Sequence, residues 1–159
     1  MLHLRSTSPD ATHAIAAALA GVVRAGDLIV LAGDMGAGKT AFAQGFGKAL
    51  GVTDQITSPT FTIVHSYPLG KLTFHHADLY RLSTQHEVAD LALAELADDD
   101  GVLVVEWGDV VASSLGDHLT VRLEHDQEDE NARDLTVQAI GRSWARRWER
   151  VEAALAGFA

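Results

Sequence analysis

The sequence predicts an α/β domain: a three-layer sandwich whose central sheet is mostly parallel and carries one antiparallel hairpin. Three observations predict it. The runs Leu28-Ile29-Val30-Leu31-Ala32 and Val102-Leu103-Val104-Val105 are apolar throughout, as strands buried on both faces are. Segments of helical spacing alternate with such runs. The first run leads directly into Gly33-Asp34-Met35-Gly36-Ala37-Gly38-Lys39-Thr40. Beyond that loop Phe42, Phe46, Ala49 and Leu50 recur at the spacing of one helix face.

The elements follow in order. Ser8-Pro9-Asp10 opens a helix, with Ser8 as N-cap, Pro9 in the first turn and an acid near the positive end. It is expected to run to about Val23, with Gly26-Asp27 turning into the strand Leu28 to Ala32. A helix from Thr40 to Leu50 ends on Gly51, which suits a C-cap. The stretch from Val52 to Pro59 is polar and irregular. Phe61 to Tyr67 is β-rich in type. Pro68 to Lys71 is a turn, and Leu72 to Asp78 returns as the second arm of a hairpin. Ser83 to Ala97 is helical with breaks, Asp98 to Gly101 turns, and Val102 to Trp107 is a second buried strand. His118 to Glu124 and Leu135 to Ile140 alternate as strands, and a helix bearing Arg142, Trp144, Arg146, Arg147, Trp148 and Arg150 closes the chain.

Length and composition bound the function. The chain has 159 residues, which suggests one domain over residues 1–159. It has no cysteine, which excludes disulfides and thiolate metal sites and fits a reducing, cytoplasmic setting. The N-terminal residues lack the pattern of a signal peptide, and no apolar stretch approaches the roughly 20 residues that cross a bilayer. A net charge of −10 repels nucleic acid in the absence of a local basic patch. The arginines at positions 142, 146, 147 and 150 are the one candidate. Their simpler reading is a terminal helix with Trp144, Trp148, Val151 and Leu155 on the core and arginines in water or facing the acids between Glu124 and Glu130.

The loop carries the chemistry. G-x-x-x-x-G-K-T is the spacing of a Walker A phosphate-binding loop, so the domain is expected to be P-loop NTPase-like. Polyphosphate is highly charged and must be met by fixed donors. The glycines let successive backbone N–H groups point inward as an anion nest, and the following helix adds its positive end. Lys39 is expected to bridge the β- and γ-phosphates and Thr40 to bind Mg²⁺ through its hydroxyl. Hydrolysis also needs acids. A parallel sheet binds its ligand at the carboxyl ends of the strands, which selects two. Glu106 ends the second buried run and takes the place of a Walker B acid. Asp78 ends the preceding strand, with His76 on its own face and His75 opposite. Because the two histidines point apart, zinc is not expected. No Asn-Lys-x-Asp or Thr-Lys-x-Asp guanine-reading segment occurs, which favours ATP over GTP.

Four segments together resemble one family. Gly33 to Thr40, Thr57-Ser58-Pro59-Thr60-Phe61-Thr62, His76-Ala77-Asp78-Leu79-Tyr80-Arg81-Leu82 and Val105-Glu106-Trp107 have the order and spacing found in the bacterial TsaE proteins. The resemblance covers roughly Ser6 to Trp107 well and the last third weakly. It implies a Mg²⁺-dependent ATPase of tRNA threonylcarbamoyladenosine biosynthesis. Such a protein acts with partners of the TsaB and TsaD type, which modify adenosine 37 of tRNAs reading codons that begin with A, and touches tRNA only indirectly. By motif matching, Gly36, Ala37, Gly38, Lys39, Thr40 and Ala41 cradle the phosphates, with Thr40 and Glu106 on the metal. Asp78 lies near the nucleotide and orients water. Ser58-Pro59-Thr60 resembles a switch loop that senses the γ-phosphate through Thr60. Arg133 matches an arginine that contacts nucleotide, although its usual Gly neighbour is Ala132 here. The segment around Pro9 closes over the base. The Pro common after Glu-Trp is Gly108. Trp107 has two placements open to it, the site or the core, with the core preferred.

Two other readings stay open on the residues alone. A small-molecule P-loop kinase has the same loop and a similar length, but usually needs an arginine-rich lid. A nucleotide-switched adaptor would use the acids only to hold Mg²⁺.

Overall fold

The computed structural model describes residues 1–57, 64–79, 93–98, 100–107 and 115–159. Thr60 and the segments Ser58-Pro59, Tyr80-Arg81-Leu82 and Gly108 fall outside them, as does most of the helix expected from Ser83.

Among the described residues seven strands form one mixed sheet: β1 (Leu2–Ser6), β2 (Leu28–Ala32), β3 (Val64–Pro68), β4 (Thr73–Asp78), β5 (Gly101–Glu106), β6 (His118–His125) and β7 (Arg133–Ile140). Their order across the sheet is β1-β7-β6-β2-β5-β4-β3. The four central strands, β6, β2, β5 and β4, are mutually parallel. The hairpin β3–β4 is antiparallel as expected. The other edge corrects the expectation of a mostly parallel sheet, because β6–β7 and β1–β7 are antiparallel too. An alternating strand such as β7 buries one face whichever way it runs, so its pattern carries no direction.

Helices α1 (Pro9–Ala20), α2 (Lys39–Leu50), α4 (Arg142–Ala145) and α5 (Trp148–Leu155) cover one face. Ile15, Leu19, Phe42, Phe46, Trp144, Val151 and Leu155 pack there on Ile29, Leu31, Val102 and Val104. On the other face α3 (Leu93–Ala97) sets Leu93 and Ala97 against Leu28, Val30, Leu103 and Val105. The runs at residues 28–31 and 102–105 are therefore apolar at every position, because odd and even positions meet different cores.

The caps form as read. Ser8 accepts from the Ala11 N–H at 3.0 Å, and Gly51, at φ 115°, closes α2. Helix α1 stops at Ala20 rather than near Val23, because Gly21 turns the chain and donates to Ala18 O. The closing helix is two short ones, α4 and α5, broken at Arg146 and Arg147. Trp144, Val151 and Leu155 face the core as expected. Of the four arginines, 142, 146 and 150 are exposed, but Arg147 is buried. It forms a two-pronged ion pair with Asp27 at 2.5 and 2.8 Å and lies over the Trp144 ring. The acids of the β6–β7 turn meet Arg5 instead, through Asp126 at 2.7 Å. The backbone N–H of Glu128, the Arg5 guanidinium and the Asp129 N–H hold the Asp126 carboxyl down at about 2.

Helices α1 and α2 cross at Gly45, where a Cβ would come within 2.6 Å of His13 Cα and 2.8 Å of His13 O. Gly45→Ala gains about 1 kcal/mol of helix propensity. It also forces two backbones apart, at a typical overpacking cost of about 1–3 kcal/mol. A net loss of about 1 kcal/mol is expected in urea unfolding, and a stabilised variant would contradict the close crossing.

Candidate functional site

The site forms where β2, β5 and β4 end together. Register brings this about: Leu31 stands level with Glu106, and Glu106 with Asp78. Beyond β2 the chain leaves through Gly33, at φ 137°, where a Cβ would collide with the carbonyl oxygen of Leu123 on β6. The loop then turns back into α2 through Gly38, its N-cap, at φ 106°. No other residue type follows that path without strain. The N-terminus of α2 is thereby aimed at the open space above the strand ends.

That space is a cavity of about 350 Å³ lined by Met35, Gly36, Gly38, Lys39, Thr40, Ala41, Asp78, Glu106 and Trp107. It gathers most of the residues selected from the sequence. Lys39 is nearly buried and donates to Gly33 O at 2.5 Å and to Asp34 O at 2.8 Å. Its ammonium also lies 3.9 Å from the centroid of the Trp107 ring. Thr40 Oγ1 donates to Glu106 at 3.1 Å from Oε1 and 3.3 Å from Oε2. This bond ties the first turn of α2 to the end of β5. Asp78 stands beside Glu106 and is half-buried on the same cavity wall.

The remaining selected residues lie around this cavity. Ala37 is fully buried behind the loop. Arg133 sits on the far side of the loop, where Nε donates to Ala37 O at 3.1 Å and Nη2 approaches Gly36 O at 3.5 Å. It also donates to Glu130 O and Ala132 O. With Ser8, Pro9, Thr12, Gly38, Ala41, Glu130 and Asn131 it borders a second recess of about 80 Å³. Arg133 thus braces the glycine loop from outside, and Pro9 is a neighbour of this recess.

Two residues take roles the sequence left unassigned. Trp107, for which the sequence leaves both the site and the core open with the core slightly preferred, is half-buried and does both: it packs at the edge of the core under β2 and β5 and lines the cavity beside Lys39. It adopts φ 62°, unusual for a bulky side chain, and donates its N–H to Leu31 O. That left-handed turn swings the ring over the lysine. His76 is fully buried, and its Nε2 lies 2.5 Å from Glu106 Oε2. Its shared face with Asp78 was legible from alternation, but the bond to Glu106 needed the pairing of β4 with β5. His75, on the opposite face, bonds Ser66 Oγ at 2.7 Å.

A glycine loop at a helix N-terminus attracts anions through backbone N–H groups and the helix dipole. The Thr40 hydroxyl and the Glu106 carboxylate, with Asp78 abreast, make an all-oxygen set that suits a hard divalent cation. Among the described residues no group of three or more His, Cys, Asp or Glu is arranged for a metal. One or two carboxylates beside a hydroxyl are the protein ligands with which Mg²⁺ is usually held, together with phosphate oxygens and water.

A mixed α/β sheet with helices on both faces, in which a strand, glycine loop and helix meet an acid from the neighbouring strand, defines the class of the fold. The family is particular: residues 6–135 match the model of the threonylcarbamoyl adenosine biosynthesis protein TsaE, and the chain belongs to that family. It is 39% identical over 141 residues to the tRNA threonylcarbamoyladenosine biosynthesis protein TsaE of Bacillus subtilis (strain 168), covering 88% of this chain and 87% of that one. The protein of the same name from Streptomyces coelicolor is 43% identical over 134 residues, covering 80% and 89%. The crystal structure of Bacillus subtilis YdiB superposes with a TM-score of 0.80 at 32% identity, covering 96% of this chain and 94% of the other. No helix among the described residues is long and apolar enough to cross a membrane.

Proposed function

We propose that this chain is a P-loop NTPase-like, Mg²⁺-dependent ATPase that serves tRNA threonylcarbamoyladenosine synthesis in the cytoplasm, acting with TsaB- and TsaD-type partners. The observation that carries the reading is the Thr40–Glu106 bond at the mouth of the glycine loop, in a chain of the TsaE family. The loop N–H groups and the N-terminus of α2 receive the phosphates. Lys39 exchanges its two carbonyl partners for phosphate oxygens, which are stronger acceptors because they are charged. Thr40 and Glu106 would hold Mg²⁺, which would supply positive charge against the phosphates when bound. Asp78, on the same wall, orients the attacking water.

The kinase reading has less support. Of the arginine cluster, Arg147 is locked to Asp27 at the opposite end of β2, and none of the four lines the cavity.

Phosphate release should be slow for the chain alone and faster with the partner complex. Equal rates would remove partner coupling. Glu106→Gln and Asp78→Asn preserve shape but remove the charge. Each should lower turnover about 10²-fold or more while ATP still binds, as measured by calorimetry beside single-turnover kinetics. If neither variant loses turnover, the assignment of the acids fails.

A further inference from the structure

Glu106 is an unusual acid to place at a strand end. Its side chain is 3% exposed, yet a cation site needs it ionised and correctly aimed. A buried carboxylate is tolerated only where donors satisfy it. Thr40 supplies one donor from the cavity side. His76 supplies another from within the protein, Nε2 to Oε2 at 2.5 Å.

The setting of His76 is specific. Its side chain has no exposure at all. Its ring is parallel to that of Phe74, with an interplanar angle of 7° and centroids 6.3 Å apart. Phe74 in turn packs on Phe46 of α2. Two aromatic layers thus fix the imidazole plane. Nδ1 is buried and has no hydrogen-bond partner. A proton there would be a buried, unsatisfied donor, so the ring proton belongs on Nε2. That assigns the bond a direction: His76 donates and Glu106 accepts.

We infer that His76 is the positioning residue of the cation site, fixing Glu106 through Oε2 and so setting the orientation in which the carboxylate stands on the cavity wall. This rests on the Mg²⁺-nucleotide reading above. The chemistry is that of an outer-shell partner, which orients a ligand without touching the metal. Without His76 the carboxylate loses the donor that meets Oε2 from within the protein, and the orientation of its three rotatable bonds is less narrowly set.

The test measures ADP affinity by calorimetry in Mg²⁺ and in EDTA, for the unmodified chain and for three variants. His76→Phe keeps the aromatic stack and removes the donor. His76→Met removes the donor with a flexible apolar side chain, should the larger ring not be accommodated. His76→Gln restores an N–H donor at similar reach. Outer-shell substitutions typically cost about 10- to 100-fold in metal affinity. His76→Phe or His76→Met should raise the Mg²⁺ concentration needed for half-maximal enhancement by about tenfold or more, with EDTA affinity unchanged. His76→Gln should recover most of the loss. A folded His76→Phe or His76→Met with unaltered Mg²⁺ dependence would overturn the inference. So would a His76→Gln as impaired as the apolar variants, since the role would then be packing. If the unmodified chain itself binds ADP with no Mg²⁺ dependence, the proposed function fails, and this inference with it.

Discussion

Lys39→Ala should abolish turnover, lowering it by about 10²- to 10³-fold, the usual result of removing one preorganised donor from developing charge. Nucleotide affinity should fall by about tenfold or more, each tenfold being about 1.4 kcal/mol. The argument begins with burial. Lys39 is 4% exposed, and an ammonium so placed requires acceptors. Gly33 O and Asp34 O provide them, so the side chain is already drawn back over the loop it serves. The Trp107 ring faces it from the other side. The cage is too close for the planar fork of arginine, so Lys39→Arg should fail almost as badly although it keeps the charge. Circular dichroism and thermal unfolding separate this from misfolding, because Lys39 contributes to no core cluster. Retention of turnover within threefold in Lys39→Ala would show that the loop does not act on the transferred phosphate.

How far the sequence could be read depended on where each residue's partner lies. Strand β2, the glycine loop and strand β5 were plain, because strands buried on both faces have no polar positions to confuse the pattern, and the loop is a local device. The start of α1 was equally plain, since Ser8 caps it within three residues. Strand β1 was not. It offers only Leu2, Leu4 and Ser6 in alternation, and its partner β7 begins at Arg133. The direction of β7 was hidden for a related reason, and so the sheet is less parallel than expected. In the site, Lys39, Thr40, Asp78 and Glu106 were chosen by motif and strand-end position and do share one cavity. His76 was placed on the correct face but given no task, because its partner is 30 residues away across a parallel pairing. Trp107 could not be placed from its type, which suits a core edge and a cavity wall equally.

Arg147→Met should destabilise the fold by about 3–5 kcal/mol, the typical cost of leaving one member of a buried ion pair alone. The pair is a strong case. Asp27 is 4% exposed and the Arg147 side chain 7%, with both carboxylate oxygens engaged. Arg147 also donates to Val22 O and lies 4.1 Å from the Trp144 centroid, so one guanidinium joins the end of α1, the entry to β2 and the closing helices. After its removal Asp27 keeps the Arg24 N–H at 2.7 Å, one donor for a buried charge. For a domain of this size each kcal/mol moves the midpoint by about 2–4 °C, so the melting temperature should drop by about 6–20 °C. The double variant Asp27→Leu with Arg147→Met should recover most of that, because well-packed apolar groups often replace a buried pair without loss. It should remain short by about 1 kcal/mol, for the bond that Arg24 N no longer makes. A single-variant loss under 1 kcal/mol would show Arg147 to be solvated after all. A double variant no better than the single would assign the effect to packing on Trp144 rather than to charge. Because the pair lies at the end of β2 opposite the glycine loop, turnover per folded molecule should be unchanged at low temperature, which separates the anchor of the sheet from its site.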